Sequence, residues 1–165
     1  MTTSRSAPSF ENKICPPGQL GKRVASLPRP LVFTNGVFDI LHRGHVTYLA
    51  QARALGASLL VAVNADASAR ALGKGDDRPV NGLEDRLAVI AALEAVNLAT
   101  WFEQETPLEL ILALKPDVIA KGGDWKPQAI VGAKEAKNWG GAVRSIPFQH
   151  ERSTSGLLAR IRGKR

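Results

Sequence analysis

The stretch from Leu31 to Tyr48, LVFTNGVFDILHRGHVTY, constrains the fold more than any other part of the chain. It begins with the apolar run Leu31 to Phe33 and continues through Thr-Asn-Gly at residues 34–36. The tetrapeptide His-Arg-Gly-His at residues 42–45 then begins a segment with helical spacing of apolar residues. This pattern predicts a buried strand, a glycine turn and the start of a helix.

The glycine and the two histidines of this stretch predict a phosphate site. Gly36 lets the backbone approach a ligand closely because it has no Cβ, and the first free N–H groups of a helix attract an anion. His42 and His45 are three residues apart, so they share one face of the first turn. A single histidine here would more often be a cap or a surface residue. Two imidazoles beside a helix dipole can stabilise a phosphate whose charge grows during a reaction.

These residues resemble the nucleotidyltransferase superfamily that is marked by an HxGH motif. Its members join a nucleoside triphosphate to a phosphate-bearing acceptor and release pyrophosphate. Within it, TNGVFDILHRGH is most similar to the heptose 1-phosphate adenylyltransferases, which make ADP-heptose for bacterial lipopolysaccharide. The resemblance extends over about residues 31 to 162.

Composition indicates a soluble protein with anionic partners. A chain of 165 residues fits one domain, and 44% hydrophobic with 22% charged residues is typical of globular proteins. The net charge of +7 favours nucleotides, sugar phosphates, nucleic acid or anionic membranes alike. Aromatic residues make up only 5% and no RNA-binding signature is present, so we expect no nucleic-acid partner.

Several features favour the cytoplasm. Cys15 is the single cysteine, so an intramolecular disulfide cannot form, which suits a reducing compartment. The first ten residues lack the apolar segment of a secretory signal, and no run has the length needed to cross a bilayer. We therefore expect a cytoplasmic protein with no membrane partner.

The chain is predicted to alternate strands with helices. Residues 1–30 form an N-terminal arm, flexible to about residue 16, with a short helix over 19–27; residues 31–165 form the nucleotidyltransferase domain. Five strands alternating with helices predict an α/β, Rossmann-like doubly wound parallel sheet with helices on both faces. A Thr106 N-cap and Pro107 at the first helical position mark one helix start. The later strands are expected over 58–63, 97–103, 117–120 and 142–146, and the later helices over 82–96, 106–115, 127–139 and 157–162.

Polar clusters follow the second and fourth predicted strands, where ligands bind in open parallel sheets. Asn64 and Asp66 could reach the nucleotide or its ribose, although a turn-forming role is equally compatible with the pattern. In KGGDW at residues 121–125, the paired glycines allow close approach, Asp124 can accept hydroxyl hydrogen bonds and Trp125 offers an aromatic wall. This segment matches KGGDW or KGGDY of the heptose adenylyltransferases.

Basic residues in a glycine-punctuated loop and in the helix after it are further candidates. Lys74 and Arg78 could close over phosphates, or the loop could simply be solvated. The resembled family carries a basic residue and an Arg-Pro pair there. In related transferases an arginine at the position of Arg86 contacts the triphosphate; the alternative is a salt bridge with Glu84 or Asp85.

The segment RSTS at residues 152–155 precedes the last predicted helix. Ser, Thr and Arg at a helix start predict an anion site by the dipole argument, and the alternative is a simple N-cap. The resembled superfamily has an ISTS- or ISSS-type motif here that contacts the triphosphate. This chain departs from it by placing Arg152 where isoleucine or a neighbour is usual.

The candidate residues are assigned to three roles, with none assigned to a metal. The catalytic set is His42, His45, Lys74 and Arg152. The nucleotide-binding set is Thr34, Asn35, Gly36, Phe38, Asn64, Arg86, Gly122, Asp124, Ser153, Thr154 and Ser155. The sugar-phosphate-binding set is Asp39, Asp66, Arg78, Lys121 and Trp125.

The resemblance implies in-line attack by a sugar 1-phosphate oxygen on the α-phosphorus of ATP, with pyrophosphate leaving. The nucleophile is already an anion, so catalysis needs positioning and charge stabilisation but no general base. Mg²⁺ is expected to arrive with ATP because no carboxylate cage is visible. Asp39 could assist a metal-bound water or fix the turn by an internal hydrogen bond.

The partners follow from the same resemblance. They are ATP, heptose 1-phosphate and a separate heptose 7-phosphate kinase, since the chain contains no sugar-kinase domain; relatives often dimerise, so a homodimer is expected. One alternative is the same chemistry on pantetheine phosphate, nicotinamide mononucleotide or glycerol phosphate, against which KGGDW argues. Another is a nucleotide- or nucleic-acid-binding module that no longer turns over, against which the retained His42 and His45 argue.

Overall fold

A five-stranded parallel sheet forms the centre of the fold in the computed structural model, which describes residues 7–73, 75, 77–150 and 152–163. Every neighbouring pair of strands is parallel, and the order across the sheet is β3-β2-β1-β4-β5. The strand order therefore reverses beside β1, as in doubly wound folds. The strands are β1 Leu31–Gly36, β2 Ser58–Asn64, β3 Leu98–Phe102, β4 Val118–Gly122 and β5 Ala142–Ile146.

Both faces of the sheet are covered, which confirms the predicted architecture. Successive side chains of a strand point to opposite faces. Accordingly Phe33 and Leu60 belong to one apolar core cluster, whereas Val32 and Leu59 belong to the other. The α-helices are α1 Leu20–Ala25, α2 Arg43–Arg53, α3 Asp66–Ala71, α4 Leu83–Ala91, α5 Leu108–Leu114, α6 Ala133–Ala136 and α7 Thr154–Ile161. Short 3-10 helices span Ser9–Lys13, Pro17–Gln19, Pro127–Ala129 and Lys137–Trp139.

Three predicted helix boundaries are wrong. The last helix, expected over 157–162, begins three residues earlier, at Thr154. The helix expected over 82–96 ends at Ala91. The helix expected to begin with a Thr106 cap begins at Leu108, with Pro107 in the N-cap position and no side-chain cap hydrogen bond. Its end is as predicted, because Lys115 adopts a left-handed backbone with φ of 45° and breaks the helix.

The continuous helix predicted over residues 127–139 is also wrong. Gly132 has φ of 84°, so the chain leaves the right-handed helical region and the segment divides into two 3-10 turns and the short α6. A Cβ at Gly132 would lie 2.8 Å from Cγ2 of Ile111, so the backbone passes close against α5. The sequence analysis predicts no helix at α3, because it assigns Asp66, the first residue of this helix, to a ligand or turn role.

The prediction of a flexible arm to about residue 16 is wrong where the structure describes that arm. Ile14 forms an isolated parallel bridge with Ala99 on the edge of β3. The Cys15 N–H donates to the Ala99 carbonyl at 2.8 Å, and the Thr100 hydroxyl donates to the Cys15 carbonyl at 2.8 Å. Cys15 and Leu20, each 1% exposed, share a core cluster with the central strand β1. The segment covers a sheet edge that would otherwise expose backbone hydrogen-bonding groups.

If this N-terminal segment is part of the core, Leu20→Ala will lower the free energy of unfolding by about 2–5 kcal/mol, because a buried leucine is replaced by a cavity. Urea unfolding measures the change. The matched control is Leu112→Ala, since Leu112 is 44% exposed on α5, and it should change stability by no more than about 0.5 kcal/mol. Equal effects of the two substitutions would contradict the assignment of Leu20 to the core.

Candidate active site

The candidate residues converge at the carboxyl edge of the sheet, where α2 and α7 also begin. The Lys121 ammonium, on β4, lies 3.3 Å from both the carbonyl and the side-chain oxygen of Asn35 on β1. The Thr154 hydroxyl, at the start of α7, donates to the Ile40 carbonyl at 3.4 Å. Groups at or beyond the carboxyl ends of β1, β4 and β5 therefore meet beside the strand reversal, where open α/β sheets bind ligands in a crevice.

The histidines of the HxGH segment form a stacked pair at the start of α2. The ring centroids of His42 and His45 are 3.8 Å apart with an interplanar angle of 18°. The Phe38 ring meets His45 edge-on at 5.4 Å. A Cβ at Gly44 would lie 3.1 Å from the His42 ring and 3.4 Å from the His150 carbonyl oxygen. Gly44 therefore leaves the room in which the His42 ring and the 147–150 segment approach the helix start.

Both histidines are held neutral at pH 7. Burial, and then the charge of His42, lowers the pKa of His45 from 6.5 to about 4. Burial, and then the positive charge of Arg152, also lowers the pKa of His42. Each ring Nδ1 is buried with no hydrogen-bond partner among the described residues. A neutral imidazole still carries one N–H donor, so the pair can donate to the oxygens of a phosphate.

The turn after β1 folds back on itself. Phe38 has φ of 49°, a left-handed conformation that is uncommon for a bulky residue. A Cβ at Gly36 would lie 3.0 Å from the Phe38 ring, so the glycine is required for this close packing. Phe38 is 6% exposed. Its predicted contact with the nucleotide, like that of Gly36, stays a prediction.

Thr34 is completely buried, and its hydroxyl lies 2.6 Å from the Tyr48 hydroxyl on α2. Burial raises the pKa of Tyr48 to about 12, against smaller opposing effects of hydrogen bonds to Thr34 and Gly122. Tyr48 was not predicted as a site residue. This hydrogen bond ties the first turns of α2 to the central strand, so Tyr48 helps to place the histidine pair.

Asp39 fixes a turn by internal hydrogen bonds, the second of the two roles considered from the sequence. Its Oδ1 accepts the backbone N–H groups of Val80 at 2.8 Å and Asn81 at 2.9 Å, and its Oδ2 accepts Arg78 Nε at 2.5 Å. Burial would raise the pKa of Asp39, but the Asn81 and Val80 N–H groups and the Arg78 guanidinium hold it below its usual 3.8. Arg78 is 8% exposed, so the solvated-loop alternative is wrong at this residue. Lys74 lies outside the described residues.

Arg86 is buried with its side chain 0% exposed, and its carboxylate partner is Asp66 at 2.6 Å. The alternative of an ion pair with Glu84 or Asp85 is therefore wrong. The Asn64 side-chain amide, also buried, donates to Ser68 at 2.9 Å. The predicted roles of these residues toward the nucleotide stay predictions.

The KGGDW segment carries an exposed aromatic surface beside the crevice. The Trp125 indole donates to the Gly122 carbonyl at 3.1 Å, and Trp125 is 49% exposed. A Cβ at Gly122 would lie 2.8 Å from the ring of Phe148, which is itself 51% exposed. Gly123 has φ of 108°, and the Asp124 side chain that follows it is exposed. Sequence reasoning missed Phe148, although an aromatic residue directly after the last strand was an available signal.

The last helix is capped as the simpler interpretation expected. The Ser153 side chain accepts the Gly156 N–H at 3.0 Å, which makes Ser153 the N-cap of α7. Thr154 is nearly buried, whereas Arg152 and Ser155 are exposed at the crevice end of the helix. An Arg162–Asp77 ion pair links the other end of α7 to the loop before Arg78. The phosphate contact predicted for this motif stays a prediction.

No group of three or more His, Cys, Asp or Glu side chains among the described residues could hold a metal ion. None of the helices in the described part of the chain is long and apolar enough to cross a membrane.

A doubly wound parallel sheet with paired histidines and basic groups at its strand reversal defines a nucleotide-binding α/β protein of the HxGH type. Residues 33–160 match the cytidylyltransferase-like family, and the chain belongs to this family. It is 56% identical to D-beta-D-heptose 1-phosphate adenylyltransferase of Bordetella bronchiseptica, over 95% of this chain and 98% of that protein. It is 53% identical to the bifunctional protein HldE of Escherichia coli over 79% of this chain, but spans only 27% of HldE.

Solved structures agree with this fold. The lipopolysaccharide core biosynthesis protein of Thermoplasma volcanium is 32% identical with a TM-score of 0.59, and the match covers 74% of this chain and 98% of that one. Pantothenate synthetase of Thermus thermophilus has a TM-score of 0.62 at 18% identity, over 92% of this chain and 69% of that one. The second similarity concerns the fold alone.

The lowered pKa of His45 predicts a pH dependence of stability. Between about pH 6.5 and 4 the unfolded chain binds a proton that the folded chain refuses, so the free energy of unfolding falls as the pH falls through this window. His45→Asn should not show this loss. Between pH 7 and pH 4, its free energy of unfolding should therefore fall by about 1 to 3 kcal/mol less than that of the wild type. Urea unfolding at several pH values measures this change. Val46→Ala, at an exposed position of the same helix, is the control that keeps the wild-type decline. An unchanged pH slope in His45→Asn would contradict a depressed pKa.

Proposed function

We propose that this protein transfers the adenylyl group of ATP to D-glycero-β-D-manno-heptose 1-phosphate, giving ADP-heptose and pyrophosphate for lipopolysaccharide core synthesis. The observation that carries the proposal is the stacked His42–His45 pair at the start of α2, in a chain 56% identical to a heptose 1-phosphate adenylyltransferase along nearly its full length. The similarity to a lipopolysaccharide core biosynthesis protein supports the same pathway.

The proposed reaction does not require a general base. A phosphate oxygen of the sugar forms the new bond to the α-phosphorus, and the bond from that phosphorus to the bridging oxygen breaks as pyrophosphate leaves. The incoming oxygen already carries negative charge, so the protein's task is to align the reactants and stabilise the charge that develops.

The histidine pair is suited to that task. Neutral His42 and His45 donate N–H groups to the α-phosphate and the leaving oxygens, and the free N–H groups at the start of α2 add a positive partial charge. Arg152, exposed just before α7, contributes a full positive charge that acts on His42. A preorganised donor of this kind is worth about 3 to 4 kcal/mol of transition-state stabilisation.

Magnesium enters this scheme as part of the nucleotide substrate. Mg²⁺ keeps several of its waters and binds through substrate phosphates with few protein carboxylates. Both Asp39 oxygens already accept protein hydrogen bonds, which leaves that carboxylate poorly placed to take the ion directly. Lys121 and Arg152 would neutralise the remaining phosphate charge.

The substrate requires an earlier phosphorylation. HldE of Escherichia coli is bifunctional, and this chain matches only 27% of its length. The second activity of HldE can therefore lie in the part of that protein that this chain does not match. We infer that a separate heptose 7-phosphate kinase acts upstream of this protein. A cytoplasmic location belongs to the same proposal and is supported by the small charged substrates proposed. The homodimer expected from the family resemblance is also part of this proposal.

Pyrophosphate release with D-glycero-β-D-manno-heptose 1-phosphate and Mg²⁺ tests the function. ATP should support rapid release, and CTP and GTP should support little. His42→Ala and His45→Ala should each lower kcat about 10²-fold or more, because each removes a charge-stabilising donor. Val46→Ala is the matched control on the same helix, since Val46 is 45% exposed, and its kcat should stay near wild type.

Silence with all three nucleotides would exclude the heptose acceptor. Release with CTP alone would overturn the nucleotide assignment while leaving the reaction class intact. Near-normal turnover in both histidine variants, with folding unchanged, would exclude the role given to the pair.

A further inference from the structure

The Arg86 guanidinium joins four separate parts of the chain at the carboxyl edge of the sheet. Nη1 donates to the carbonyls of Val37 at 2.7 Å and Asn64 at 2.8 Å. Nε donates to the Asn81 carbonyl at 2.9 Å, and Nη2 to Asp66 Oδ1 at 2.6 Å. The loop after β1, the end of β2, the start of α3 and the loop before α4 therefore meet at one side chain.

This arrangement directs Arg86 toward protein groups. Its side chain is 0% exposed, and a buried guanidinium is tolerated only when its donors are satisfied. Arginine suits the position because its planar fork can reach several acceptors at fixed angles, which a lysine ammonium cannot do. The contacts place Arg86 beneath the surface of the crevice.

Asp66 is anchored by Arg86 and is still partly exposed. The ion pair uses Oδ1, while the Asp66 side chain remains 38% exposed at the first position of α3. A carboxylate accepts hydrogen bonds through both oxygens, so an anchored Asp66 can receive hydroxyl groups from the crevice. Its negative charge disfavours a phosphate at the same place.

The sheet order separates Asp66 from the groups suited to phosphate. His42 and His45 follow the central strand β1, and Arg152 follows β5. Asp66 follows β2, which lies on the other side of β1 from β4 and β5. The triphosphate therefore fits the β1, β4 and β5 side, and a neutral, hydroxyl-rich ring fits the β2 side.

We propose that Arg86 is a positioning residue that holds Asp66 as a hydroxyl acceptor for the sugar ring of the acceptor phosphate, and that Arg86 itself does not touch the triphosphate. The proposal deepens the proposed function and rests on it. It replaces the nucleotide contact that the family resemblance implied for Arg86.

The test separates the Michaelis constants of the two substrates. Asp66→Asn and Arg86→Lys should each raise KM for heptose 1-phosphate about 10- to 100-fold, because a charge-assisted hydrogen bond is weakened or misaligned. KM for ATP should stay within about 2-fold of wild type. Arg70→Lys and Glu84→Gln, at exposed helix positions, are the matched controls and should change neither constant.

Mono-deoxy analogues of the sugar 1-phosphate give a second readout that a purely structural role would not move. With the wild-type protein, one analogue should have a lower kcat/KM than the full substrate. The factor should be about the same as the one by which Asp66→Asn lowers kcat/KM for the full substrate. In Asp66→Asn, kcat/KM for the same analogue should be close to that for the full substrate, because the lost hydroxyl and the lost carboxylate belong to one contact. If Arg86→Lys does not fold, this pairing of Asp66→Asn with the analogues carries the test.

Two outcomes overturn the proposal while the proposed function stands. They are an active wild type whose KM for the sugar is unchanged in Asp66→Asn, and a folded Arg86→Lys whose loss falls on KM for ATP. Failure of wild type to release pyrophosphate with heptose 1-phosphate is a different result, and it overturns the proposed function together with this extension.

Discussion

The burial of β1 and β2 on both faces is the constraint on which the rest of this structure depends. Phe33 and Leu60 pack to one side and Val32 and Leu59 to the other, each completely buried. A parallel sheet of this kind has no wet face, so ligand-binding groups are left to the ends of its strands. The strand order reverses beside β1, and the loops that diverge there open the crevice occupied by the candidate residues.

Charged groups in that crevice divide into two classes. Asp39 and Arg86 are buried and form hydrogen bonds with backbone groups of neighbouring loops, so they maintain the shape of the site. Arg152, Asp124 and Asp66 keep exposed or partly exposed surface, and they are the charged residues to which the proposals assign ligand contacts. Removing one partner of a buried pair leaves an uncompensated charge and destabilises the surrounding loops. A substitution at a buried charged residue should therefore also displace the exposed charged residues that those loops carry.

The histidine pair illustrates how burial would prepare the proposed phosphate site. Stacking at 3.8 Å and partial burial disfavour a second proton on either ring, and the result is two neutral donors beside a helix start. A phosphate bound there would oppose this effect, because its negative charge favours the protonated ring. The same groups can therefore be neutral in the free protein and more basic as negative charge accumulates in the reaction.

The sequence by itself determined the alternation of strands and helices, the HxGH helix start and the crevice at the strand ends, because apolar periodicity and glycine position are local properties. Only the tertiary structure decided which charges face a ligand. Arg86 and Arg78 are identical in type to exposed arginines, and their burial depends on Asp66 and Asp39, which are 20 and 39 residues away. The packing of Cys15 on Ala99 and the break at Gly132 against α5 likewise come from contacts distant along the chain, which local propensity does not encode.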